Sequence, residues 1–208
     1  MFNKINTLFS ANKDRKILSL YFCAGTPTLE GTGDVILTMQ ERGIDMIEVG
    51  IPFSDPLADG PIIQSAATKA LKNGMNLKLL FSQLEAIKDK VRIPLVLMGY
   101  YNPILHYGIK EFCQSCVQAG VSGVIIPDLP FAEYNEIVKP LAYKYDLRFI
   151  MLITPETSEE RIKLIDKCTD GFIYMVSSAS TTGSKDRFDE NTVNYFNKVN
   201  SLHLHNPR

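Results

Sequence analysis

This sequence of 208 residues contains six short apolar runs. Each run is followed by turn-forming residues and then by a stretch of helical periodicity. The apolar runs predict strands at 16–23, 44–49, 95–98, 123–126, 148–153 and 171–176. The periodic stretches predict helices at 2–11, 28–42, 62–72, 77–90, 109–119, 131–144, 158–166 and 189–199. Alternating strands and helices predict a parallel sheet of βα units, and near-continuous apolar strands indicate burial on both faces. Spacing alone does not separate a barrel from an open doubly wound sheet, although no G-x-G-x-x-G motif follows the first strand.

The composition narrows the class of protein. With 45% hydrophobic and 22% charged residues and a net charge of -1, the chain has an ordinary globular composition, and its length fits one domain over 1–208. A charge near zero gives no reason to expect a nucleic acid or an acidic membrane surface as partner. No apolar run approaches the roughly 18 residues of a membrane-spanning helix, and the first residues do not form a signal peptide. We therefore expect a cytoplasmic protein.

The cysteines and histidines do not predict a metal site. Cys113 and Cys116 form a C-x-x-C pair inside a helical pattern, whereas a redox pair is expected at a helix N-terminus after a strand. One such pair is also weak evidence for zinc. We expect all four cysteines to be buried or half-buried free thiols, and we expect His203 and His205 to be surface residues.

The stretch Ile44–Pro61, IDMIEVGIPFSDPLADGP, places three carboxylates at the end of a strand and in the loop beyond it. Strand parity puts Glu48 on the same face as Met46. Burial among apolar neighbours should raise the pKa of Glu48 towards the range useful for proton transfer. A structural carboxylate in a buried hydrogen-bond network is an equally good interpretation of this spacing. Asp55 and Asp59 lie in the loop.

The segment IEVGIPFSDPLADGP resembles the signature of the tryptophan synthase α subunit, and the resemblance extends over essentially the whole chain. It implies a (β/α)8 TIM barrel with an extra N-terminal helix. It also implies retro-aldol cleavage of indole-3-glycerol phosphate to indole and glyceraldehyde 3-phosphate. The family continues with two more βα units where this sequence stops, so we expect the last two units to be absent and the 208 residues alone not to be a competent enzyme.

The resemblance also implies roles for individual residues. Glu48 matches the acid/base glutamate, and Asp59 matches the aspartate that accepts from the indole N–H and stabilises positive charge on the ring. Tyr174 matches a tyrosine near that glutamate, although a core tyrosine with a satisfied hydroxyl is the alternative. The family's pocket wall corresponds to Tyr21, Met98, Tyr100 and Asp128. Many members have phenylalanine at Tyr21.

Further matches concern loops and partners. Thr182 and Gly183 match a mobile loop over 177–184, where the threonine touches the catalytic aspartate and the glycine lies by the phosphate. Asp55 matches a residue that communicates with the β subunit. The resemblance implies an αββα heterotetramer whose pyridoxal phosphate belongs to the β subunit, so no cofactor and no metal is expected on this chain. Two alternatives stay open: a non-catalytic subunit that mainly activates a β partner, and another barrel enzyme acting on a phosphorylated sugar, against which the SDPLADGP loop argues.

Overall fold

The computed structural model describes residues 3–177 and 189–208. In this part of the chain six parallel strands form one sheet in the order β1-β2-β3-β4-β5-β6. The strands are β1 Ser19–Cys23, β2 Met46–Gly50, β3 Leu95–Met98, β4 Gly123–Ile125, β5 Arg148–Ile153 and β6 Ile173–Met175. Strands that are neighbours in the sheet are also neighbours in sequence. Each βα unit therefore advances the sheet in the same direction, which excludes a doubly wound order over these strands.

The helices fill the connections between the strands. They are α1 Lys4–Ala11, α2 Thr32–Glu41, α3 Pro61–Lys72, α4 Leu77–Ile87, α5 Tyr101–Tyr107, α6 Ile109–Gln118, α7 Phe131–Glu133, α8 Lys139–Lys144, α9 Glu159–Cys168 and α10 Glu190–Ser201. The predicted helix over 131–144 is helical throughout, but it is not regular, because a π-helical turn, Tyr134–Val138, separates α7 from α8. Pro140 supplies the reason: it has no N–H to donate, and its ring would clash with the carbonyl of residue 136 in a regular helix.

The two faces of the sheet pack differently. Ile47 and Val49 on β2 belong to a large apolar cluster shared with the helices. Met46, which alternates with them, belongs to a second cluster with Ile150 of β5 and Ile5 of α1. Two strands lie between β2 and β5, so the sheet curls around the side chain of Ile5.

Helix α1, the expected N-terminal helix, covers the amino-terminal ends of the strands. Asn3 caps it by accepting from the N–H of Ile5 at 2.9 Å, and its amide donates to the carbonyls of Ser122 and Asp146 just before β4 and β5, at 2.9 and 2.8 Å. Ile5 is fully buried, and a Cβ at Gly123 would lie 2.6 Å from its Cδ1. Full burial of such a side chain contributes about 1.5–3 kcal/mol. The opposite, carboxyl-terminal ends of the strands remain available for a site.

Other expectations concern the surface and the thiols. None of the helices in the described ranges is long and apolar enough to cross a membrane. Within the same ranges, no three His, Cys, Asp or Glu side chains are grouped to hold a metal ion. All four cysteines are free and buried or half-buried, as expected, and burial raises the pKa of the Cys113 thiol to about 11. His203 and His205 are exposed, as expected.

Candidate active site

A cavity of about 290 Å³ lies at the carboxyl-terminal ends of the strands. It brings together six of the residues to which the sequence analysis gave a role: Tyr21, Glu48, Asp59, Met98, Tyr100 and Tyr174. The rest of its wall is mostly apolar and consists of Ile51, Ala58, Ile63, Gly99, Pro127, Leu152 and Val176. The cavity can therefore hold a flat apolar ring while offering two carboxylates and three phenols.

Glu48 lies on the curled inner face of β2, on the same side as Met46, as strand parity predicted. Its side chain is buried, with only 6% of its surface exposed, and the hydroxyl of Ser19 on β1 donates to its Oε1 at 2.7 Å. Burial raises the pKa of the Glu48 carboxyl, and the hydrogen bond from Ser19 partly offsets this. The sequence analysis missed Ser19, because no local pattern reveals which β1 residue faces Glu48.

Tyr174 reaches the same cavity from β6, where it pairs with Leu152 of β5. Burial and the nearby charge of Glu48 raise the pKa of its phenol to about 12. The hydroxyl therefore stays protonated near neutral pH and can act as a hydrogen-bond donor.

Asp59 is held by contacts on both sides of the loop between β2 and α3. The Tyr100 hydroxyl donates to Asp59 Oδ2 at 3.2 Å and accepts from the N–H of Ala58 at 3.0 Å. The Gln64 amide, on α3, donates to the Asp59 carbonyl at 2.8 Å. Burial raises the pKa of the Asp59 carboxyl, and the Tyr100 hydroxyl partly offsets the rise. The family resemblance assigned Tyr100 only to the pocket wall and did not reveal its bond to Asp59.

The remaining candidate residues lie elsewhere. Asp55 is exposed on the loop, where the Ser54 hydroxyl donates to its Oδ2 at 2.5 Å. Asp128 is not among the residues that line the cavity, and its Oδ1 accepts from the N–H of Tyr101 at the start of α5, at 2.8 Å. Thr182 and Gly183 lie outside the described residues, as does most of the predicted loop over 177–184.

The two carboxylates are suited to different tasks. Glu48 is deeply buried beside a protonated phenol, which is the environment of a group that exchanges protons with a ligand. Asp59 lies on a partly exposed loop with one oxygen bonded to Tyr100. Its other oxygen is a possible acceptor for an N–H on a bound ring.

Comparison with known proteins places the chain in a family. The model of the family described as "Tryptophan synthase alpha chain" matches residues 9–207. The tryptophan synthase alpha chain of Phocaeicola vulgatus is 61% identical over 206 residues, which cover 99% of this chain and 80% of that protein. That of Bacteroides thetaiotaomicron is 58% identical, with 99% of this chain and 80% of the relative covered.

Solved structures agree with the sequence matches. The alpha subunit of tryptophan synthase from Legionella pneumophila is 32% identical and superposes with a TM-score of 0.86, over 97% of this chain and 75% of that one. Tryptophan synthase from Mycobacterium tuberculosis gives a TM-score of 0.85 at 29% identity, over 96% and 77% of the two chains. By sequence and by fold, this chain belongs to the tryptophan synthase alpha chain family.

Proposed function

We propose that Glu48, Asp59 and Tyr174 carry out the lyase reaction of this family in tryptophan biosynthesis. In that reaction indole-3-glycerol phosphate is cleaved to indole and glyceraldehyde 3-phosphate. The bond between the indole ring carbon and the first side-chain carbon breaks, the side-chain hydroxyl loses its proton to a base, and the ring carbon gains one. The observation that carries the assignment is a buried carboxyl of raised pKa in one cavity with a second carboxyl and a protonated phenol.

Each residue has a separate task. Glu48 takes and returns the protons, since burial raises the pKa of its carboxyl from the ordinary value towards the range useful for proton transfer. Asp59 accepts from the indole N–H and stabilises the positive charge that develops on the ring. Tyr174, beside Glu48, offers the substrate a hydrogen bond from its protonated phenol. A site equipped for proton transfer in this way favours catalysis over a role confined to activating a partner.

The rest of the proposal concerns the surroundings of the cavity. Tyr21, Met98 and Tyr100 form the substrate wall, and Asp128, which follows β4, supports it by accepting from the N–H of Tyr101 at the start of α5. Thr182 and Gly183, which lie outside the described residues, are assigned to substrate binding by the family resemblance alone. The six parallel strands in sequential order support the (β/α)8 barrel of the family as a single domain. We place the protein in the cytoplasm.

The partner is the β subunit of tryptophan synthase. We place Asp55 at the contact, because it is exposed on the loop that carries Asp59 but does not line the cavity. An αββα arrangement is the assembly that the family resemblance implies.

The test of this proposal is the Glu48→Gln variant, which keeps the shape of the side chain and removes its proton chemistry. General acid–base catalysis contributes on the order of 10²–10⁴ in rate, so indole release in the presence of the β subunit should fall by that factor. The matched control is Glu85→Gln, which changes an exposed glutamate on α4. Retention of more than about a tenth of the wild-type rate by a folded Glu48→Gln protein would refute the proton-transfer role.

A further inference from the structure

Tyr21 and Gly50 share one space on the inner face of the sheet. Tyr21 pairs with Glu48 across β1 and β2, and Gly50 lies two residues after Glu48, on the same face. A Cβ at Gly50 would collide with the Tyr21 hydroxyl and would lie 2.6 Å from its Cζ. The phenol ring delivered from β1 therefore fills the inward-facing space that Gly50 leaves open on β2.

Two successive inward-facing residues of β1, Ser19 and Tyr21, lie next to Glu48. Ser19 donates a hydrogen bond to the carboxylate, and Tyr21, the next inward residue of β1, lies over Gly50 at the end of β2 that faces the cavity. Both Tyr21 and Glu48 line the cavity, yet only 6% of the Glu48 surface is exposed. The ring therefore extends over Gly50, on the loop side of position 48.

We propose that Tyr21 is a positioning residue that shields Glu48 from water by filling the inward-facing space above Gly50. This rests on the proposed acid/base role of Glu48 and adds a means by which the fold limits water at that carboxyl from the loop end of the first cavity. The hydroxyl lies nearest to Gly50, with ring carbons directly behind it, so we assign the shielding to the bulk of the ring and expect phenylalanine to preserve it.

The titratable groups around Glu48 show whether Tyr21 acts on it by charge or by excluding water. The titratable groups that share the cavity with it are the phenols of Tyr21, Tyr100 and Tyr174 and the carboxyl of Asp59. Glu48 also lines a second cavity, and the basic residues that line that cavity are Lys13, Arg15, Lys16 and Arg208. Burial is the largest cause of the raised pKa of Glu48, and burial together with nearby acidic groups raises the pKa of Tyr21 above its usual range. Tyr21 is therefore neutral and acts on Glu48 by excluding water and not by charge.

The experiment measures the carboxyl pKa of Glu48 by carbon NMR of protein labelled at glutamate. The Glu48 signal is assigned as the one that is missing from the spectrum of the Glu48→Gln protein. Tyr21→Ala should admit water and lower the pKa towards the ordinary value of 4.5. Tyr21→Phe should leave it where it is in the wild type. The control Leu20→Ala, which removes an outward side chain of the same strand, should leave it there too. The arm of the pH–rate profile that Glu48 governs should move by on the order of one pH unit in Tyr21→Ala only.

Two results would overturn the proposal. An unchanged Glu48 pKa in Tyr21→Ala would show that the ring does not shield it, and an equal fall in Tyr21→Phe would assign the effect to the hydroxyl. The NMR titration needs no turnover, so it judges Tyr21 even if Glu48→Gln retains activity and the proposed function fails.

A double-mutant cycle of Tyr21→Ala and Gly50→Ala tests whether the two residues share one space. If the Tyr21→Ala protein does not fold, Tyr21→Leu, which keeps a bulky apolar side chain, replaces it. Gly50→Ala should lower the melting temperature in the wild type and do so much less in Tyr21→Ala, where the space is free. Equal losses in the two backgrounds would show that Tyr21 does not occupy the space above Gly50, against the proposal.

Discussion

Tyr100 links two segments that the sequence separates by about forty residues. Its hydroxyl donates to Asp59 and accepts from the N–H of Ala58, so one phenol orients both the carboxylate and the backbone beside it. Tyr100 itself lies at the N-cap of α5, directly after β3 and the short turn that follows it. The rigid end of a strand therefore positions a carboxylate that sits on a loop.

Replacing Tyr100 by phenylalanine should weaken turnover without emptying the cavity. Loss of one such hydrogen bond is worth about 1 kcal/mol, which corresponds to roughly a fivefold fall in kcat if the bond orients Asp59 during the reaction. The matched control is Tyr101→Phe, because the neighbouring hydroxyl donates to Glu133 and not to Asp59. Steady-state kinetics of both variants check this, and equal falls in the two would rule out a specific role for Tyr100.

The sequence predicted the side chains of the candidate site better than their partners. The inward direction of Glu48 follows from strand alternation, which is a local rule. Its contact with Ser19 depends on the register of β1 against β2, and the bond from Tyr100 to Asp59 depends on how a loop folds back onto the next strand. Neither is encoded in a nearby pattern of residues, so both required the structure.

At the level of elements, the strands matched their apolar runs, while helix starts and regularity were less predictable. Thr28, Thr32 and Asp34 are of the residue types that local propensity favours at a helix start, yet the cap of α2 is Gly31 and no side chain bonds there. Thr32 instead accepts from the N–H of Gly25 in the turn after β1, at 3.1 Å. A tertiary contact thus takes the hydroxyl that local propensity assigned to the helix end.

Asp166 joins α9 to the segment after α10. Its carboxylate accepts from the N–H groups of His205 and Asn206, each at 2.9 Å, and from the Asn206 amide at 3.0 Å. The following Pro207 carbonyl accepts from the N–H of Ile173 on β6, at 2.8 Å. Burial alone would raise the pKa of Asp166, but these donors and the charge of His205 lower it below its usual value.

Because the folded-state pKa of Asp166 is depressed, its contribution to stability is present above the ordinary value of 3.8 and is lost as the pH falls through the lower folded-state value. Asp166→Asn should reduce the free energy of unfolding by about 1–3 kcal/mol at pH 7, and the difference from wild type should shrink below roughly pH 4. Denaturant unfolding at both pH values measures this. Glu159→Gln, which changes a carboxylate in an exposed ion pair on the same helix, is the control. A constant difference at all pH values would contradict the assignment.

For the whole molecule, composition and periodicity established the α/β class but not the winding of the sheet. A barrel and a doubly wound sheet use the same apolar strands and amphipathic helices, and they differ in which strands become neighbours. That difference is expressed by contacts such as those of Ile5 with Met46 and Ile150, which join parts of the chain far apart in sequence. The family resemblance, and not the residue pattern, therefore carried the barrel expectation.

The loop after β2 connects the cavity with the outer surface. Leu57, on this loop, and Ile62, just after it, expose 91% and 86% of their surfaces, so both apolar side chains are available for contact with a partner. Asp55 lies on the same loop, four residues before Asp59. Docking of the β subunit here would reach Asp59 through a short stretch of backbone that Gln64 and Tyr100 already hold.

Asp55→Asn should therefore separate communication from catalysis. Without the β subunit, the rate of indole release by the Asp55→Asn enzyme should stay within about twofold of the wild-type enzyme, because Asp55 does not line the cavity. Stimulation by a saturating β subunit should fall by at least tenfold if the partner desolvates and pairs this carboxylate, since losing one member of such a pair costs about 2–5 kcal/mol. Asp89→Asn, another exposed aspartate on the turn after α4, is the matched control. Full stimulation of the Asp55→Asn protein would mean that the β subunit acts on the cavity through another part of the surface, with the exposed Leu57 and Ile62 as the next residues to change.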